Sequence, residues 1–367
     1  MNICIFTDSI SNSGGIERVT VNIANMWFQL GHKVTIVLLD TDTSSYFKLN
    51  NNIKIVSLKV PRYKKSYEII VYMIRMGYKF RQYLKLNKVD VVCAIWTSRA
   101  ISAQIASIGM KIPVVACEHI AYTQLREGLQ FLRSLVYPYV AAIVSLTNGD
   151  AILYKKINKN TFVIPNEITD IEEKEYNGQD KTVLAVGRLV PQKGFDLLLN
   201  SWRIVHKHRP DWNLKIIGRE LPEYKDFAQD LHKAIREGCF HKSITIHNQT
   251  QSIMSEYDKA SIFVLSSRFE GLPLVLLEAM SRALPVVSFN CPTGPKDVIT
   301  NGENGILVSN GDVYQLAENI IKLIDNKELR KRLGDCANQS IAKHYHKDII
   351  SEKWMKLFQF IESYNYK

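Results

Sequence analysis

The sequence predicts an α/β protein built from two doubly wound parallel sheets in tandem, facing each other across a central cleft. Three observations carry this. Short β-branched runs alternate with amphipathic helical patterns from end to end, as parallel α/β layers require. A polar stretch, Glu172 to Gln179, separates two such series and reads as a linker that buries nothing. The 367 residues are 46% hydrophobic and 23% charged, too long for one ordinary core and rich enough in apolar material for two.

In the first series the strands are expected at Ile3 to Thr7, Val34 to Leu39, Ile53 to Leu58, Val89 to Ile95, Pro113 to Cys117 and Ala142 to Leu146. The first helix, from about Ile16, places Val19, Ile23, Met26 and Trp27 on one side and stops at Gly31. In the second series they are expected at Thr182 to Val186, Leu214 to Ile217, Ile244 to Ile246, Ile262 to Leu265, Pro285 to Ser288 and Ile306 to Val308. From Leu316 onward the pattern is helical, and the last helix, about Asp348 to Tyr364, is expected to cross back onto the first domain. The expected domains are therefore 1–172 and 173–347, with 348–367 returning. Ligands of such sheets bind beyond the C-terminal strand ends, which sets where to look for function.

The six cysteines are scattered, with no C-x-x-C pair, as expected of reduced thiols and a cytoplasmic setting. The N-terminus reads as a strand rather than a secretory signal, and the longest near-apolar stretch, Leu135 to Leu146, is shorter than the roughly 20 residues a bilayer span needs. The formal net charge is +11. Much of it is local: Pro61 to Lys88 holds Arg62, Lys64, Lys65, Arg75, Lys79, Arg81, Lys85 and Lys88 against one acid, Glu68. With Tyr67, Ile70, Val71, Ile74, Tyr78 and Tyr83 interleaved, this segment is expected to dock on an anionic membrane surface. The competing reading is a core-packed helix with incidental cations. No recognition module for nucleic acid accompanies the charge, so none is expected as a partner.

Three loops carry candidate chemistry. Ser13, Gly14, Gly15, Ile16, Glu17 and Arg18 join the first strand to the first helix. Adjacent glycines and a helix N-terminus suit close approach of a phosphate, although a tight turn alone needs the same residues. In the second domain Gly187, Arg188 and Lys193 sit at a strand end before a helix. They read either as surface cations or as a diphosphate clamp, with Arg gripping bidentately and Lys acting as a point charge. Last, Glu270 lies in a loop after a strand, and Glu278 lies eight residues on, in a helix with Pro273 in its first turn. Glu278 falls among Leu276, Leu277 and Met280, where an ionised carboxylate needs partners such as a vicinal diol.

Taken together, SGGIER (Ser13 to Arg18), GRLVPQKG (Gly187 to Gly194) and the glutamate pair of RFEGLPLVLLEAM (Arg268 to Met280) resemble glycosyltransferase family 4. VIPNE (Val163 to Glu167) and GPKDVITNGENGILV (Gly294 to Val308) extend the likeness over essentially the whole chain. SGGIER, ACEH (Ala116 to His119) and CPTGP (Cys291 to Pro295) most resemble bacterial transferases that build O-antigen, capsule or exopolysaccharide units.

The resemblance implies a GT-B architecture of two Rossmann-like domains and retaining transfer of a hexose or N-acetylhexosamine from a nucleotide diphosphate sugar, UDP-linked by preference. The acceptor implied is an undecaprenyl-diphosphate-linked glycan at the cytoplasmic face of the inner membrane. It implies that Arg188 and Lys193 neutralise the donor diphosphate, that the backbone at Gly14 and Gly15 faces it, and that Glu278 holds the ribose. Glu270, Gly271 and Leu272 would grip the transferred sugar, Leu274 and Val275 would complete the donor site, and His119 would contact the sugar. No cofactor and no metal are implied. A nucleotide-sugar 2-epimerase and a non-catalytic nucleotide-sugar-binding scaffold are the alternatives.

The chain departs from the family's usual pattern at Gly218 to Leu221 and at His247 to Gln249, which leaves the donor sugar open. Asp40, Thr41 and Asp42 spell the metal motif of a different transferase class but follow a second strand, and the pairs His206 with His208 and His344 with His346 lie in polar helical settings. These read as solvated surface.

Overall fold

The computed structural model describes residues 1–60, 69–169, 171, 174–176, 178, 180–238, 240–250 and 252–364. The chain forms two compact units, 1–167 with 348–367, and 168–347. The first therefore ends at Glu167, ahead of the boundary at 172 read from the sequence.

The first unit contains β1 (Asn2–Thr7), α1 (Gly15–Gln29), β2 (Lys33–Leu38), β3 (Lys54–Ser57), α2 (Ile69–Leu86), β4 (Val91–Ile95), α3 (Thr97–Ala106), β5 (Val114–Cys117), α4 (Glu127–Val136), β6 (Ala142–Ser145), α5 (Asn148–Lys155) and β7 (Thr161–Val163). The strands form one parallel sheet in the order β3-β2-β1-β4-β5-β6-β7. Cys4 and Phe6 point into a core with Met76 and Phe80 of α2 and Ala100 and Ala103 of α3, while the buried Ile3 and Ile5 alternate with them along β1. α1 ends where expected, with Gly31 at φ +85° just beyond. β7 has no counterpart in the sequence reading; its Thr161 breaks the continuous apolar run that marks the equally short β13.

The second unit contains β8 (Thr182–Val186), α6 (Phe195–His208), β9 (Asn213–Ile217), α7 (Lys225–Glu237), β10 (Ile244–His247), α8 (Ile253–Lys259), β11 (Ile262–Leu265), α9 (Leu274–Ser281), β12 (Val286–Phe289), α10 (Pro295–Val298), β13 (Ile306–Val308), α11 (Val313–Asp325) and α12 (Lys327–Tyr345). Its parallel sheet runs β10-β9-β8-β11-β12-β13. α6 buries Leu198, Leu199 and Trp202 against it, as the amphipathic pattern requires. From Asp348 onward α13 (Lys347–Glu362) belongs to the first unit, where Trp354 and Phe358 meet Trp27 edge-on at 4.8 and 5.2 Å.

One described residue of the expected linker departs from the reading that the stretch buries nothing. Tyr176 is buried, its hydroxyl donates to the Ser261 carbonyl at 3.2 Å and accepts from Arg330 Nε at 2.8 Å, and its N–H donates to Asp335 at 2.8 Å. An aromatic ring with a polar tip can be buried in this way in a polar sequence context.

Candidate functional site

In each sheet the strand order reverses direction once, between β1 and β4 and between β8 and β11. In open α/β sheets, ligands bind at the carboxyl ends of the strands beside such a reversal. In the second unit the loop after β8 carries Arg188 and Lys193, and the loop after β11 carries Glu270. Lys193 Nζ donates to Glu270 Oε1 at 2.6 Å, with the two side chains only 13% and 8% exposed. Ser267 Oγ donates to the same oxygen at 2.6 Å. Arg188 is exposed and makes no side-chain hydrogen bond or ion pair among the described residues.

The backbone fixes this geometry. Gly194 sits at φ +62°, and a Cβ there would come within 2.0 Å of the Ser266 carbonyl, so only glycine lets the two loops approach this closely. Ser266 Oγ donates to the Lys193 carbonyl at 2.9 Å, the Arg268 N–H to the Gln192 carbonyl at 2.8 Å, and Gln192 Nε2 to the Phe269 carbonyl at 3.1 Å. Arg268 also grips the Asp196 carboxylate bidentately at 2.8 and 2.6 Å. Partial burial would raise the Asp196 pKa, but the Arg268 bonds and charge outweigh it and hold the carboxyl below its ordinary value. Glu270 is fixed from the other side, its N–H donating to the Pro292 carbonyl at 2.7 Å and its carbonyl accepting from the Thr293 N–H at 2.8 Å. The CPTGP segment thus braces the glutamate loop.

Gly271 and Leu272 follow in that loop, and Leu274 and Val275 open α9, which is capped by Pro273 rather than containing it. Leu276, Leu277 and Met280 are fully buried, and Glu278 is 3% exposed among them. Its Oε2 accepts from the hydroxyl of the buried Tyr257 at 2.9 Å. The protein therefore supplies one of the donors that the sequence reading had left to a diol.

In the first unit, Gly14 precedes α1 and its carbonyl accepts from Arg18 N–H at 3.1 Å; Gly15 is the first helical residue. The reversal between β1 and β4 is spanned by an ion pair, Asp8 accepting from Arg99 Nε at 2.7 Å. His119 lies just past β5. Its Nε2 is buried without a hydrogen-bond partner, and burial pushes its pKa down to about 4, so the ring is neutral at pH 7. The preceding Glu118 is buried, accepts from Thr97 Oγ1 at 2.7 Å and from the Tyr137 hydroxyl, and is pushed up in pKa by burial against those bonds and the Arg133 charge.

Sequence reasoning missed Ser267, Tyr257, Asp8 and Arg99. Only Ser267 had a local signal, lying three residues before Glu270. Among the described residues no group of three His, Cys, Asp or Glu side chains is placed to hold a metal ion. Asp40 and Asp42 instead accept from the N–H groups of Thr41 and Ser44 at 2.7 and 2.9 Å.

The basic segment is only partly as expected. Arg62, Lys64 and Lys65 lie outside the described residues, as does Tyr67. Lys79 donates to the carbonyls of Leu58 and Lys59, both at 2.8 Å, and Arg81 to those of Ala106 and Ile108 at 2.7 and 2.8 Å. These two cations hold the fold together, Arg81 by capping the end of α3, and Tyr83 is in the core. Arg75 and Lys85 are exposed.

Two loops bearing cations and a carboxylate meet beside a strand reversal, and comparison with known proteins names the class. The model described as Glycosyltransferase Family 4 matches residues 13–170, and that described as Glycosyl transferases group 1 matches residues 166–340. The chain belongs to these glycosyltransferases. It is 29% identical to the amylovoran biosynthesis glycosyltransferase AmsD of Erwinia amylovora, over 96% of this chain and 98% of that one. It is 27% identical to the Campylobacter jejuni GalNAc-alpha-(1->4)-GalNAc-alpha-(1->3)-diNAcBac-PP-undecaprenol alpha-1,4-N-acetyl-D-galactosaminyltransferase, over 96% and 97%. The fold matches that of Anabaena HepE, solved in complex with UDP and glucose, with TM-score 0.81, 17% identity and coverage of 97% and 99%. The fold is GT-B, with two Rossmann-like units.

Proposed function

We propose that this glycosyltransferase moves a hexose or N-acetylhexosamine from a UDP-sugar to a growing, undecaprenyl-diphosphate-linked bacterial surface glycan, with retention of anomeric configuration. The observation that carries the proposal is the Arg188, Lys193 and Glu270 arrangement at the reversal of the second sheet: one exposed cation and a second held against a carboxylate. The cations suit a diphosphate and the carboxylate suits sugar hydroxyls. The names of the Erwinia and Campylobacter relatives support a surface glycan and a lipid-linked acceptor.

In the proposed reaction the bond from the sugar C1 to the diphosphate oxygen breaks as the acceptor oxygen bonds to C1 on the same face. Arg188 and Lys193 stabilise the charge growing on the departing diphosphate, without a metal ion. The acceptor's proton passes to a departing phosphate oxygen. Glu278 holds the ribose, oriented by Tyr257, and the neutral His119 acts as a hydrogen-bonding partner of the sugar rather than as a cation. Gly14 and Gly15 bring backbone N–H groups to the diphosphate. The enzyme works as a peripheral protein on the cytoplasmic face of the inner membrane; among the described residues no helix is long and apolar enough to cross a membrane.

A transfer assay crossing UDP-, GDP- and ADP-sugars with polyprenyl-diphosphate oligosaccharides tests this. Elongated acceptor is expected with a UDP-hexose or UDP-N-acetylhexosamine. An epimer formed from UDP-sugar alone would identify an epimerase, and binding without turnover across the panel would identify a scaffold.

A further inference from the structure

In the first unit, α2, α3 and α4 lie side by side over one face of the sheet. Ten of the sixteen large apolar side chains exposed among the described residues belong to these helices and the turns that end them. That concentration separates them from the scattered apolar residues any surface carries. Ile74 and Tyr78 of α2 are 66% and 64% exposed, and Phe131 and Leu135, one turn apart on α4, are 64% and 53% exposed. α4 is partly inverted: its inward residue Arg133 is buried, stacks 3.7 Å over the Tyr122 ring and donates to the Tyr122 carbonyl at 3.1 Å. The fold places a cation inside this helix and leaves phenylalanine and leucine in water.

The charges around the face have one sign. Segments 69–88, 97–112 and 121–139 contain nine Lys and Arg and a single acid, Glu127. Lys79, Arg81, Arg99 and Arg133 are engaged within the fold. Arg75, Lys85, Lys88, Lys111 and Arg126 remain exposed. A second copy of this chain would set like charges against each other, and a nucleic-acid backbone would have no use for Phe131 and Leu135. An anionic bilayer meets both features at once, with apolar side chains at the acyl boundary and cations at the phosphates.

We infer that the outer face of α2, α3 and α4 is the membrane-docking surface, with Phe131 and Leu135 of α4 entering the interface. This rests on the peripheral-membrane part of the proposed function and replaces a surface confined to the basic segment 61–88 with one centred on α4.

Co-sedimentation of the full chain with phosphatidylcholine vesicles, with and without phosphatidylglycerol, tests it. Binding is expected with anionic vesicles, falling with salt to a residual level. Phe131→Ser with Leu135→Ser should lower partitioning at least tenfold and abolish the residual. Arg75→Glu with Lys85→Glu should remove the salt-sensitive part. All four positions are exposed, and unchanged melting curves confirm folding. Phe131→Trp, which keeps an aromatic ring, should shift its emission to the blue on anionic vesicles. Anionic binding that ignores the α4 pair would overturn this surface while leaving a peripheral enzyme. No binding to any vesicle would overturn both, and loss of a dimer in sedimentation velocity with vesicle binding intact would reassign the face to self-association.

Discussion

Lys193 Nζ lies 2.6 Å from Glu270 Oε1, so one cation implicated in holding a diphosphate is already neutralised from within the same unit. On the proposed assignment the donor diphosphate competes with Glu270 for Lys193, and weakening that pair frees the carboxylate to accept from the sugar. Glu270→Gln should therefore tighten binding of free UDP by about three- to tenfold, on the order of 1 kcal/mol, while turnover falls. Calorimetric titration of the single and double variants checks it. In a Lys193→Ala background the Gln substitution should change UDP affinity little, and a gain that persists there would point to general repulsion by Glu270 instead.

Arg188 offers the complementary case. Because it is exposed and has no side-chain partner among the described residues, Arg188→Ala should shift the melting temperature by no more than about 1 °C, as surface changes usually do. Transfer should drop roughly 10- to 100-fold, since a charged hydrogen bond contributes about 1.5 to 3 kcal/mol and this one strengthens as charge develops. Unfolding and kinetic measurements on one preparation separate the two effects.

Tyr257 holds Glu278 at 2.9 Å inside the core of the second unit. Tyr257→Phe leaves a buried carboxylate short of a donor and should cost about 1 to 3 kcal/mol of stability by denaturant unfolding. Glu278→Gln should weaken UDP binding more than it alters discrimination between donor sugars. Equal UDP affinity in Glu278→Gln and the parent would remove its ribose role.

His119 gives a pH signature. Its folded pKa is lowered from 6.5 to about 4 by burial, so the folded state takes up a proton less readily than the unfolded chain. The sign follows: its contribution is fully present above pH 6.5 and is lost as pH falls toward 4, up to about 3 kcal/mol. The raised pKa of Glu118 works in the opposite direction. Subtracting the stability of His119→Asn from that of the parent at each pH isolates the histidine. A difference that stays flat from pH 7 to 4 would contradict a buried neutral ring.

The fold was legible where the signal was local. β11 at Ile262–Leu265 and β13 at Ile306–Val308 stand where the β-branched runs placed them, because a buried parallel strand is a short continuous apolar run. The site loops were legible for a related reason: glycines and cations at strand ends are a local pattern. Their partners were not. Lys193 and Glu270 are 77 residues apart, and Tyr257 and Glu278 are 21 apart, so neither pairing leaves a trace in spacing. Lys79 and Arg81 read as surface charge because a carbonyl acceptor has no sequence signature. The apolar outer side of α4 was hidden for the converse reason, since leucines and a phenylalanine on a helix read as core until their exposure is seen.

The central proposal, retaining transfer from a UDP-sugar, is tested most directly by proton NMR of the product made from an α-linked UDP-sugar and a lipid-linked acceptor with EDTA present. An α-linked product is expected, formed with stoichiometric UDP release and abolished when Arg188 and Lys193 are both changed to Ala. A β-linked product, or transfer undiminished in that double variant, would contradict it.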